Sequence, residues 1–459
     1  MEEFERHLEL AKKIPVYRKP AKPVNTLINS LPTDYETMQQ FYTFLIICYG
    51  LLIRLTAVFD KKAALWVKGR SRYWVLLDKV FSTAPFNQPG RKLAWFHCAS
   101  LGEFEQGRPI IEAFKEQHPE YLILLTFFSP SGYEVRKAYT GADHILYMPL
   151  DTPSNVKRFV DKVKPDIVFY IKYEFWFNFL NYLQQKQIPT ILVSAIFRPD
   201  QHFFKGYGEW PRKILKGFTQ IFVQTEDSNE LLQFIGIENA VVSGDTRFDR
   251  VAAVAAQPKE IKIAKAFATN HKVLVAGSTW PADEDLIFKL IYQNNNKLRF
   301  IIAPHEIGED HIQSLMQRAG KTAVRFSKTN AEEVKNAEIL IIDSIGMLSQ
   351  LYQYGTLAYI GGGFGAGIHN ILEAAAFGLP VFFGPNYHKF NEAREMIEQG
   401  GAFEVTKPDE LIKKVNILLN DKSDLATAIA TSRNYVANGC GATGIILKRV
   451  NELIQSRIL

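Results

Sequence analysis

The stretch Gly361–Pro385, GGGFGAGIHNILEAAAFGLPVFFGP, decides the fold of the second half of this chain. An apolar run at 356–360 leads into its glycines, a helical pattern follows, and a second apolar run begins at Val381. This order predicts a strand, a glycine-rich loop, a helix and a second strand, which together form one βαβ unit. Glycines let a ligand approach backbone N–H groups, and a helix N-terminus favours an anion such as phosphate.

The same stretch suggests a sugar-nucleotide site, because Glu373 lies in the first turns of the predicted helix, where a carboxylate can reach a ribose diol. The alternative is a glycine-rich turn without a ligand, which many α/β proteins contain. The spacing fits neither the dinucleotide pattern GxGxxG nor a Walker loop, since no Gly-Lys-Ser/Thr follows. The loop alone leaves both interpretations open.

The composition is that of a folded protein with more than one domain. The 459 residues are 47% hydrophobic and 22% charged, and a single core rarely grows past about 250–300 residues. The net charge of +6 is too small to indicate nucleic-acid binding, but it suits anionic substrates or an anionic membrane surface. Cys48, Cys98 and Cys440 show no metal or disulfide spacing, so we expect a reducing compartment.

Short apolar runs alternate with helical patterns from residue 92 onward, which is typical of parallel, doubly wound α/β sheets. The pattern restarts after an Ala- and Lys-rich stretch at 252–271, so we predict two Rossmann-like domains, at 61–255 and 265–440, facing a cleft and joined by a linker near residues 250–270. A helix at 441–459 is expected to pack back on the first domain. The predicted strands are Leu93–His97, Tyr121–Thr126, His144–Tyr147, Ile167–Ile171, Thr190–Ser194, Ile221–Gln224, Lys272–Ala276, Leu298–Ala303, Ile339–Ile342, Leu357–Ile360 and Pro380–Phe383.

An apolar segment, Phe41–Phe59, follows a polar extension at 1–40. It is borderline for a span, since its uncharged part ends before Arg54 and a spanning helix needs about 20 apolar residues. A basic and aromatic flank follows, which places the main body in the cytoplasm by the positive-inside tendency. The flank consists of Lys61, Lys62, Trp66, Lys68, Arg70, Arg72, Tyr73 and Trp74, and its aromatic residues suit the membrane interface. We predict a membrane-anchor helix at 41–60, by single-pass or interfacial insertion; a buried core helix and a chain start at Met38 are alternatives.

The first predicted strand ends just before Ser100-Leu101-Gly102-Glu103. Ser-x-x-Glu before a helix is the pattern of a capping box, in which Ser100 caps the N3 amide and Glu103 reaches back to the Ser100 amide. The alternative makes Glu103 a general base for a hydroxyl at the strand end. The spacing alone favours the cap.

Other polar residues also follow predicted strands, where ligands bind in open α/β sheets. They are Ser129 and Ser131 in TFFSPSG, Glu174 in YEFW, Arg247 in SGDTRFD, Ser278 and Thr279 in GST, and His305 in APHE. His, Asp and Glu residues show no metal-ligand spacing, so we predict neither a metal nor a cofactor.

Together these motifs resemble the 3-deoxy-D-manno-octulosonic acid (Kdo) transferase family of lipopolysaccharide synthesis. The matching elements run in family order from about Phe41 to the end of the chain. They are the apolar anchor, HCASLGE, TFFSPSG, Pro149-Leu150-Asp151, YEFWFN, SGDTRFD, GST, APHE, GGGFGAGIHNILE and FFGPNYHKF.

The resemblance implies an inverting, metal-independent GT-B glycosyltransferase at the cytoplasmic face of the inner membrane. It implies CMP-Kdo as the donor, bound by the second domain, and a lipid A precursor (lipid IVA) as the acceptor, bound by the first. Under it Glu103 is the catalytic base, which overrides the capping interpretation, and Glu373 contacts the cytidine ribose. The implied donor-binding residues are Gly363, Gly365, His369, Asn370, Glu373, Ser278, Thr279, His305 and Arg247. Ser100, Ser129, Ser131 and Glu174 are expected to line the acceptor site or cleft.

One departure concerns the donor phosphate. Many family members have Pro-Arg-His where this chain has Pro304-His305-Glu306, so Arg247, His305 or Lys389 would supply the positive charge. Two other functions stay open from the sequence. One is a UDP-sugar transferase or epimerase on the same architecture, and the other is a non-catalytic membrane protein that binds a nucleotide or glycan.

Overall fold

The computed structural model describes residues 35–206, 208–293 and 298–458. The chain forms two compact units, each built on a seven-stranded sheet. The first unit consists of the chain up to Thr246 together with the C-terminal segment Gly441–Leu459, and Arg247–Cys440 form the second unit. The boundary therefore precedes the Ala- and Lys-rich stretch at 252–271, which was expected to be a linker.

All strand pairs of the first sheet are parallel, and the strand order is β3-β2-β1-β4-β5-β6-β7. The order reverses at β1 and β4, which is the switch point where doubly wound sheets bind ligands. The strands are β1 Lys92–Cys98, β2 Tyr121–Phe127, β3 His144–Tyr147, β4 Ile167–Ile171, β5 Thr190–Ala195, β6 Gln220–Val223 and β7 Ala240–Val242.

Helices cover both faces of this sheet, so its strands are almost entirely apolar. The helices of the first unit are α1 Tyr35–Thr56, α2 Lys61–Arg70, α3 Tyr73–Val80, α4 Leu101–Gln117, α5 Pro130–Arg136, α6 Pro153–Val163, α7 Phe177–Gln185, α8 Glu209–Lys216 and α9 Glu226–Phe234, with a 3-10 turn at His202–Phe204. Side chains of β1 alternate between the two faces: Trp95 joins the core that contains Trp66, and Phe96 joins the core that contains Phe114.

The second sheet is also parallel throughout, with the order β10-β11-β9-β8-β12-β13-β14. Its switch point lies at β8 and β12. The strands are β8 Val273–Thr279, β9 Arg299–Pro304, β10 Ala323–Arg325, β11 Ile339–Ile341, β12 Leu357–Ile360, β13 Val381–Phe383 and β14 Ala402–Glu404.

The helices of the second unit include two that occupy the stretch expected to be a linker. They are α10 Thr246–Ala256, α11 Lys262–Ala268, α12 Pro281–Tyr292, α13 Glu309–Ala319, α14 Leu348–Leu351, α15 Leu372–Ala375, α16 Asn391–Gln399, α17 Pro408–Asn420 and α18 Lys422–Gly439, with 3-10 turns at Gly320–Thr322, Phe326–Lys328, Glu333–Asn336 and Tyr352–Tyr354. Ala264 and Phe267 of α11 are fully buried in the core of this unit. The stretch is folded because its apolar residues complete that core.

The last helix, α19 Ala442–Ile458, packs on the first unit as the sequence predicts. Ile446, Leu447 and Val450 join the core around Phe96. The His118 ring also lies 2.7 Å from the Asn451 side-chain oxygen, within hydrogen-bond distance. The C-terminal helix α19 is therefore part of the first unit.

Helix α1 contains a segment, Glu36–Thr56, that is long and apolar enough to cross a membrane. One face of α1 contacts the first unit. Tyr42 donates a 2.7 Å hydrogen bond to the buried Asp151, and a Cβ on Gly50 would lie 2.8 Å from a methyl carbon of Leu150. The other face is exposed and apolar; it consists of Phe41, Phe44, Leu45, Leu51, Leu52 and Leu55.

Candidate functional site

The glycine-rich loop follows β12 at the switch point of the second sheet. Its first glycines are needed for backbone packing: a Cβ on Gly361 would lie 2.2 Å from the Ser278 carbonyl oxygen, and one on Gly363 would lie 2.5 Å from the Gly384 nitrogen. Gly362 has a φ of +95°, which favours glycine. Gly365 is exposed, and a Cβ there would meet only the Gly362 oxygen, at 3.7 Å. Open space for a ligand therefore lies at Gly365 rather than at Gly363.

Asp283 fixes this loop. Its fully buried carboxylate accepts hydrogen bonds from the Gly362 amide at 2.8 Å, the Trp280 amide at 3.0 Å and the Tyr359 hydroxyl at 2.9 Å. The sequence suggests only an ordinary helix start at this position. The tertiary bonds to Gly362 and Tyr359 leave no local signal, so sequence reasoning missed Asp283.

The helix predicted after the loop is a single turn, α15, and this corrects the expectation of a full βαβ helix. The loop takes up residues as far as Ile371, and Gly378 with φ +80° ends the turn early. Asn370 accepts from the Leu372 amide at 3.2 Å and donates to the Glu373 carboxylate at 3.3 Å. A one-turn helix has a weak dipole, so side chains and loop amides must supply most of the attraction for a phosphate.

Three aromatic rings stack at the carboxyl ends of β8 and β9. The His305 ring centroid lies 4.6 Å from that of Trp280 and 4.6 Å from that of His369. The Trp280 indole donates to Nε2 of His369 at 3.2 Å, so the hydrogen of the neutral imidazole sits on Nδ1. Burial, and then the neighbouring His305, lower the pKa of His369 to about 4. Near neutral pH His369 is therefore an uncharged donor through Nδ1–H.

The remaining donor-site candidates differ in their surroundings. Thr279 is buried and its hydroxyl donates to Glu284 at 3.1 Å, so it serves the fold of the unit. Ser278 is half-buried with φ +53°. The Arg247 guanidinium lies 2.9 Å from the Glu392 carboxylate, so the cation that was expected to contact the donor phosphate already forms an ion pair within the protein. The second unit thus groups Ser278, His305 and His369 around the loop.

In the first unit, the hydroxyl of Ser100 donates to the carboxylate of Glu103. This differs from a capping box, because within the described part of the chain the Ser100 side chain accepts no amide of α4. Glu103 is half-buried in the first turn of that helix. Its carboxylate is thus oriented by a hydroxyl and is free of the capping role that the spacing suggested.

A backbone contact joins this segment to the next candidate residues. The Ala99 carbonyl accepts hydrogen bonds from the Phe128 amide at 3.2 Å and the Ser129 amide at 2.7 Å. The Ser129 and Ser131 hydroxyl oxygens lie 3.0 Å apart at the start of α5. The structure therefore places the two serines beside the segment that carries Glu103.

Glu174 lies after β4 and is nine-tenths buried. Its Oε2 lies 3.2 Å from Nε2 of His97 and accepts from the Trp176 indole at 2.5 Å. Burial raises the pKa of the Cys98 thiol well above its usual value, and Glu103 and then Glu174 raise it further. Both carboxylates therefore lie near one thiol at the end of β1. Sequence reasoning missed His97 and Trp176, because each makes its contact through the tertiary fold.

Comparisons with known proteins agree with these motifs. A family model described as 3-Deoxy-D-manno-octulosonic-acid transferase (kdotransferase) matches residues 77–250. The 3-deoxy-D-manno-octulosonic acid transferase of Aquifex aeolicus (strain VF5) is 32% identical over 338 residues, covering 72% of this chain and 87% of that protein. The protein of the same name from Rickettsia bellii (strain RML369-C) is 26% identical, covering 86% of this chain and 94% of its own.

Among solved structures, the UDP-GlcNAc 2-epimerase of Neisseria meningitidis is similar with a TM-score of 0.55 and 17% identity, covering 78% of this chain and 99% of that one. At this identity the likeness shows the fold alone, two parallel-sheet α/β units of the GT-B type. The likeness to the Aquifex protein is of another kind, because it exceeds 30% identity and spans most of that relative. The chain belongs to the 3-deoxy-D-manno-octulosonic acid transferase family.

Proposed function

We propose that, within the Kdo transfer of its family, this chain takes CMP-Kdo as donor and a lipid A precursor, lipid IVA, as acceptor. The observation that carries the proposal is the Glu103 carboxylate, which is oriented by Ser100 and lies within the region that the family model matches. A positioned carboxylate can accept the proton of an attacking hydroxyl. The reaction needs one such base and a site that stabilises the leaving phosphate.

The two sides of the reaction are assigned to separate units. Glu103 takes the acceptor proton as the acceptor oxygen attacks the anomeric carbon of Kdo, and the bond from that carbon to CMP breaks with inversion. The leaving CMP carries a phosphate monoester charge, which amides of the glycine loop and the Nδ1–H of His369 would stabilise. Since Arg247 is engaged by Glu392, His305 and Lys389 are the better candidates for a cationic contact.

Glu373 is assigned to the cytidine ribose. It lies in the first turn of α15, where Asn370 holds its carboxylate. Within the described residues, no group of three or more His, Cys, Asp and Glu could hold a metal ion. Independence from metals and cofactors stays a prediction, tested by transfer in the presence of a chelator.

The proposal extends to the membrane. Helix α1 contacts the first unit along its length, from Gln39, which donates to Asn178 at 3.0 Å, to Gly50 against Leu150. A helix held in this way cannot cross a bilayer without taking the folded unit into it. We therefore assign α1 to the interface plane, with its exposed apolar face in the lipid at the cytoplasmic side of the inner membrane.

The flank after α1 has a different role from the one expected. Trp66 and Tyr73 are buried, which corrects their assignment to the membrane interface. Arg70 donates to the Phe128 carbonyl at 2.9 Å, and its guanidinium lies 3.9 Å from the centroid of the Trp66 ring. The exposed basic side chains are those of Lys61, Lys62, Lys68 and Arg72, and these suit anionic lipid headgroups.

A transfer assay tests the proposed reaction. Purified full-length chain is mixed with CMP-Kdo and tetraacyl lipid A precursor, and Kdo-modified lipid is measured. Thermal stabilisation by CMP and by UDP is measured in parallel, because a ligand stabilises the fold that binds it. We expect transfer and stabilisation by CMP. Stabilisation by UDP alone, without Kdo transfer, would instead support a UDP-sugar enzyme.

A further inference from the structure

A chain of buried polar side chains runs through the otherwise apolar core of the first unit. Trp95, His97 and Thr126 are fully buried. The Trp95 indole donates to the Thr126 hydroxyl oxygen at 2.7 Å, and that oxygen lies 2.8 Å from Nδ1 of His97. The other ring nitrogen of His97 reaches Glu174. Four side chains thus connect the middle of β1 to the loop after β4.

The donors and acceptors fix the tautomer of His97. An indole N–H can only donate, so the Thr126 oxygen accepts from Trp95. The Thr126 proton then has two acceptors, Nδ1 of His97 at 2.8 Å and the Phe96 carbonyl at 3.5 Å, and the first is much the better. With Nδ1 as acceptor, Nε2 carries the hydrogen and donates it to Glu174.

His97 and Trp176 consequently hold the Glu174 carboxylate through only one of its two oxygens. Oε2 accepts from His97 and from the Trp176 indole. Among the described residues, no donor is placed on Oε1, although the side chain is nine-tenths buried. This oxygen is not buried, so it belongs to the part of the side chain that stays accessible. His97 and Trp176 therefore hold one carboxylate oxygen in place while the other stays open to a ligand.

We propose that Oε1 of Glu174 binds a hydroxyl of the acceptor sugar, and that His97 and Trp176 are positioning residues that aim this oxygen. The inference rests on the proposed function, since it names the contact that holds the acceptor beside Glu103. A sugar hydroxyl is the matching chemistry, because it donates one hydrogen bond to a carboxylate oxygen. The proximity of Glu103 and Glu174 to Cys98 puts the two carboxylates in one neighbourhood.

Two substitutions of His97 separate positioning from a structural role. The amide nitrogen of glutamine reproduces Nε2 of histidine, whereas asparagine reaches only the Nδ1 position. His97→Gln can still donate to Glu174, and His97→Asn can bond only toward Thr126. Trp176→Phe removes the second donor and keeps the ring, whose centroid lies 4.6 Å from that of Phe128. Glu174→Gln removes the charge that the acceptor hydroxyl meets.

The acceptor KM, kcat and CMP affinity are measured for each variant, with direct binding of the tetraacyl precursor in detergent micelles. We expect Glu174→Gln and His97→Asn to raise the acceptor KM at least about tenfold, with CMP affinity within about threefold of wild type. We expect His97→Gln to keep the acceptor KM near the wild-type value. Trp176→Phe should give an acceptor KM between those of the wild type and His97→Asn.

Other outcomes overturn the inference. They are an unchanged acceptor KM in Glu174→Gln, equal effects of His97→Gln and His97→Asn, or a rise in the KM for CMP-Kdo instead. If His97→Asn fails to fold, Trp176→Phe and Glu174→Gln decide the matter. A wild-type chain without transfer sinks the proposed reaction, but loss of precursor binding in Glu174→Gln would still support this site.

Discussion

His369 precedes the one-turn helix α15 and Glu373 lies within it, and we assign both to the donor site. Glu373 offers a carboxylate held by Asn370, and His369 offers an N–H whose position is set by Trp280. The glycine motif suggests Glu373 and the family resemblance adds His369; both roles stay predictions. The neutral state of His369 depends on Trp280 and His305, which come from other strand ends, so no local pattern could predict it.

Glu373→Ala should weaken CMP binding about 10–150-fold, because a hydrogen bond to a charged group contributes about 1.5–3 kcal/mol. Isothermal titration with CMP measures the change, and Glu373→Gln serves as the matched control that keeps the side-chain length. A dissociation constant for Glu373→Ala within about threefold of wild type would remove Glu373 from the ribose contact.

The His369 imidazole should titrate near pH 4 in the folded chain, against an ordinary value of 6.5. A lowered folded pKa means that the folded state favours neutral His369. The contribution of neutral His369 to folding stability is therefore present above about pH 6.5 and is lost as the pH falls toward about 4. NMR of the His369 ring, assigned through His369→Gln, measures the midpoint. A midpoint near 6.5 would contradict the stack described for this ring.

Among the elements, the apolar runs of the sequence predict the buried strands but not β7, β10 and β14, which lie at sheet edges. These three strands are only partly buried, whereas the equally short β11 and β13 are fully buried and show an apolar run. The helix after the glycine loop was overestimated, because Gly378 and the loop reduce it to one turn. The glycine loop itself was predicted, but its support by Asp283 was not, since that bond links distant segments.

The support of the glycine loop by Asp283 can be tested directly. Asp283→Ala leaves the Gly362 amide and the Tyr359 hydroxyl without their acceptor, and an unsatisfied buried group costs about 1–3 kcal/mol. We expect CMP affinity to fall at least about tenfold in Asp283→Ala. Tyr359→Phe, which removes only the hydroxyl bond, is the control and should bind CMP nearly as well as wild type. Equal CMP affinity in both variants would show that the loop holds its shape without Asp283.

Asp151 is one of the residues that attach α1 to the first unit. Burial raises its pKa from 3.8 to about 6, although Tyr42, Asn178 and Phe179 donate to it. A raised folded pKa in an acid favours the protonated folded state. Stability from this group is therefore greatest below about 3.8 and declines as pH rises through about 6, by about 3 kcal/mol in total.

Urea unfolding at several pH values measures this decline, and Asp151→Asn should abolish it. Asparagine keeps the shape and one acceptor oxygen but does not titrate. If the wild type and Asp151→Asn show the same pH dependence of unfolding free energy, another group is responsible.

For the whole molecule, the sequence predicts two α/β units and an apolar N-terminal helix, and the structure has both. The mode of membrane insertion stays open from the sequence, and our proposal of an in-plane helix rests on the docking of α1 on Asp151 and Leu150. Within the basic flank, Trp66 is buried and the half-buried Arg70 packs against its ring, whereas Lys61, Lys62 and Lys68 are exposed.

Cysteines introduced on either side of the apolar part of α1 test the topology. Glu36→Cys, in the first turn of α1, and Lys61→Cys, at the start of α2, are each placed in a background in which Cys48 and Cys440 are replaced by alanine and the buried Cys98 is kept. The variants are expressed in bacterial cells, and inverted membrane vesicles are prepared. We expect a membrane-impermeant maleimide to label both positions from the cytoplasmic side. Labelling of only one of the two positions would mean that α1 spans the bilayer.

The substitution Glu103→Gln tests whether Glu103 is the base of Kdo transfer. Glutamine can still accept a hydrogen bond from Ser100 but cannot take up a proton at neutral pH. The rate of Kdo transfer is measured beside CMP affinity and melting temperature. We expect a folded, CMP-binding chain whose transfer falls at least about a hundredfold. Transfer by Glu103→Gln at nearly the wild-type rate would contradict it and would place the base elsewhere, with Glu174 the next carboxylate to examine.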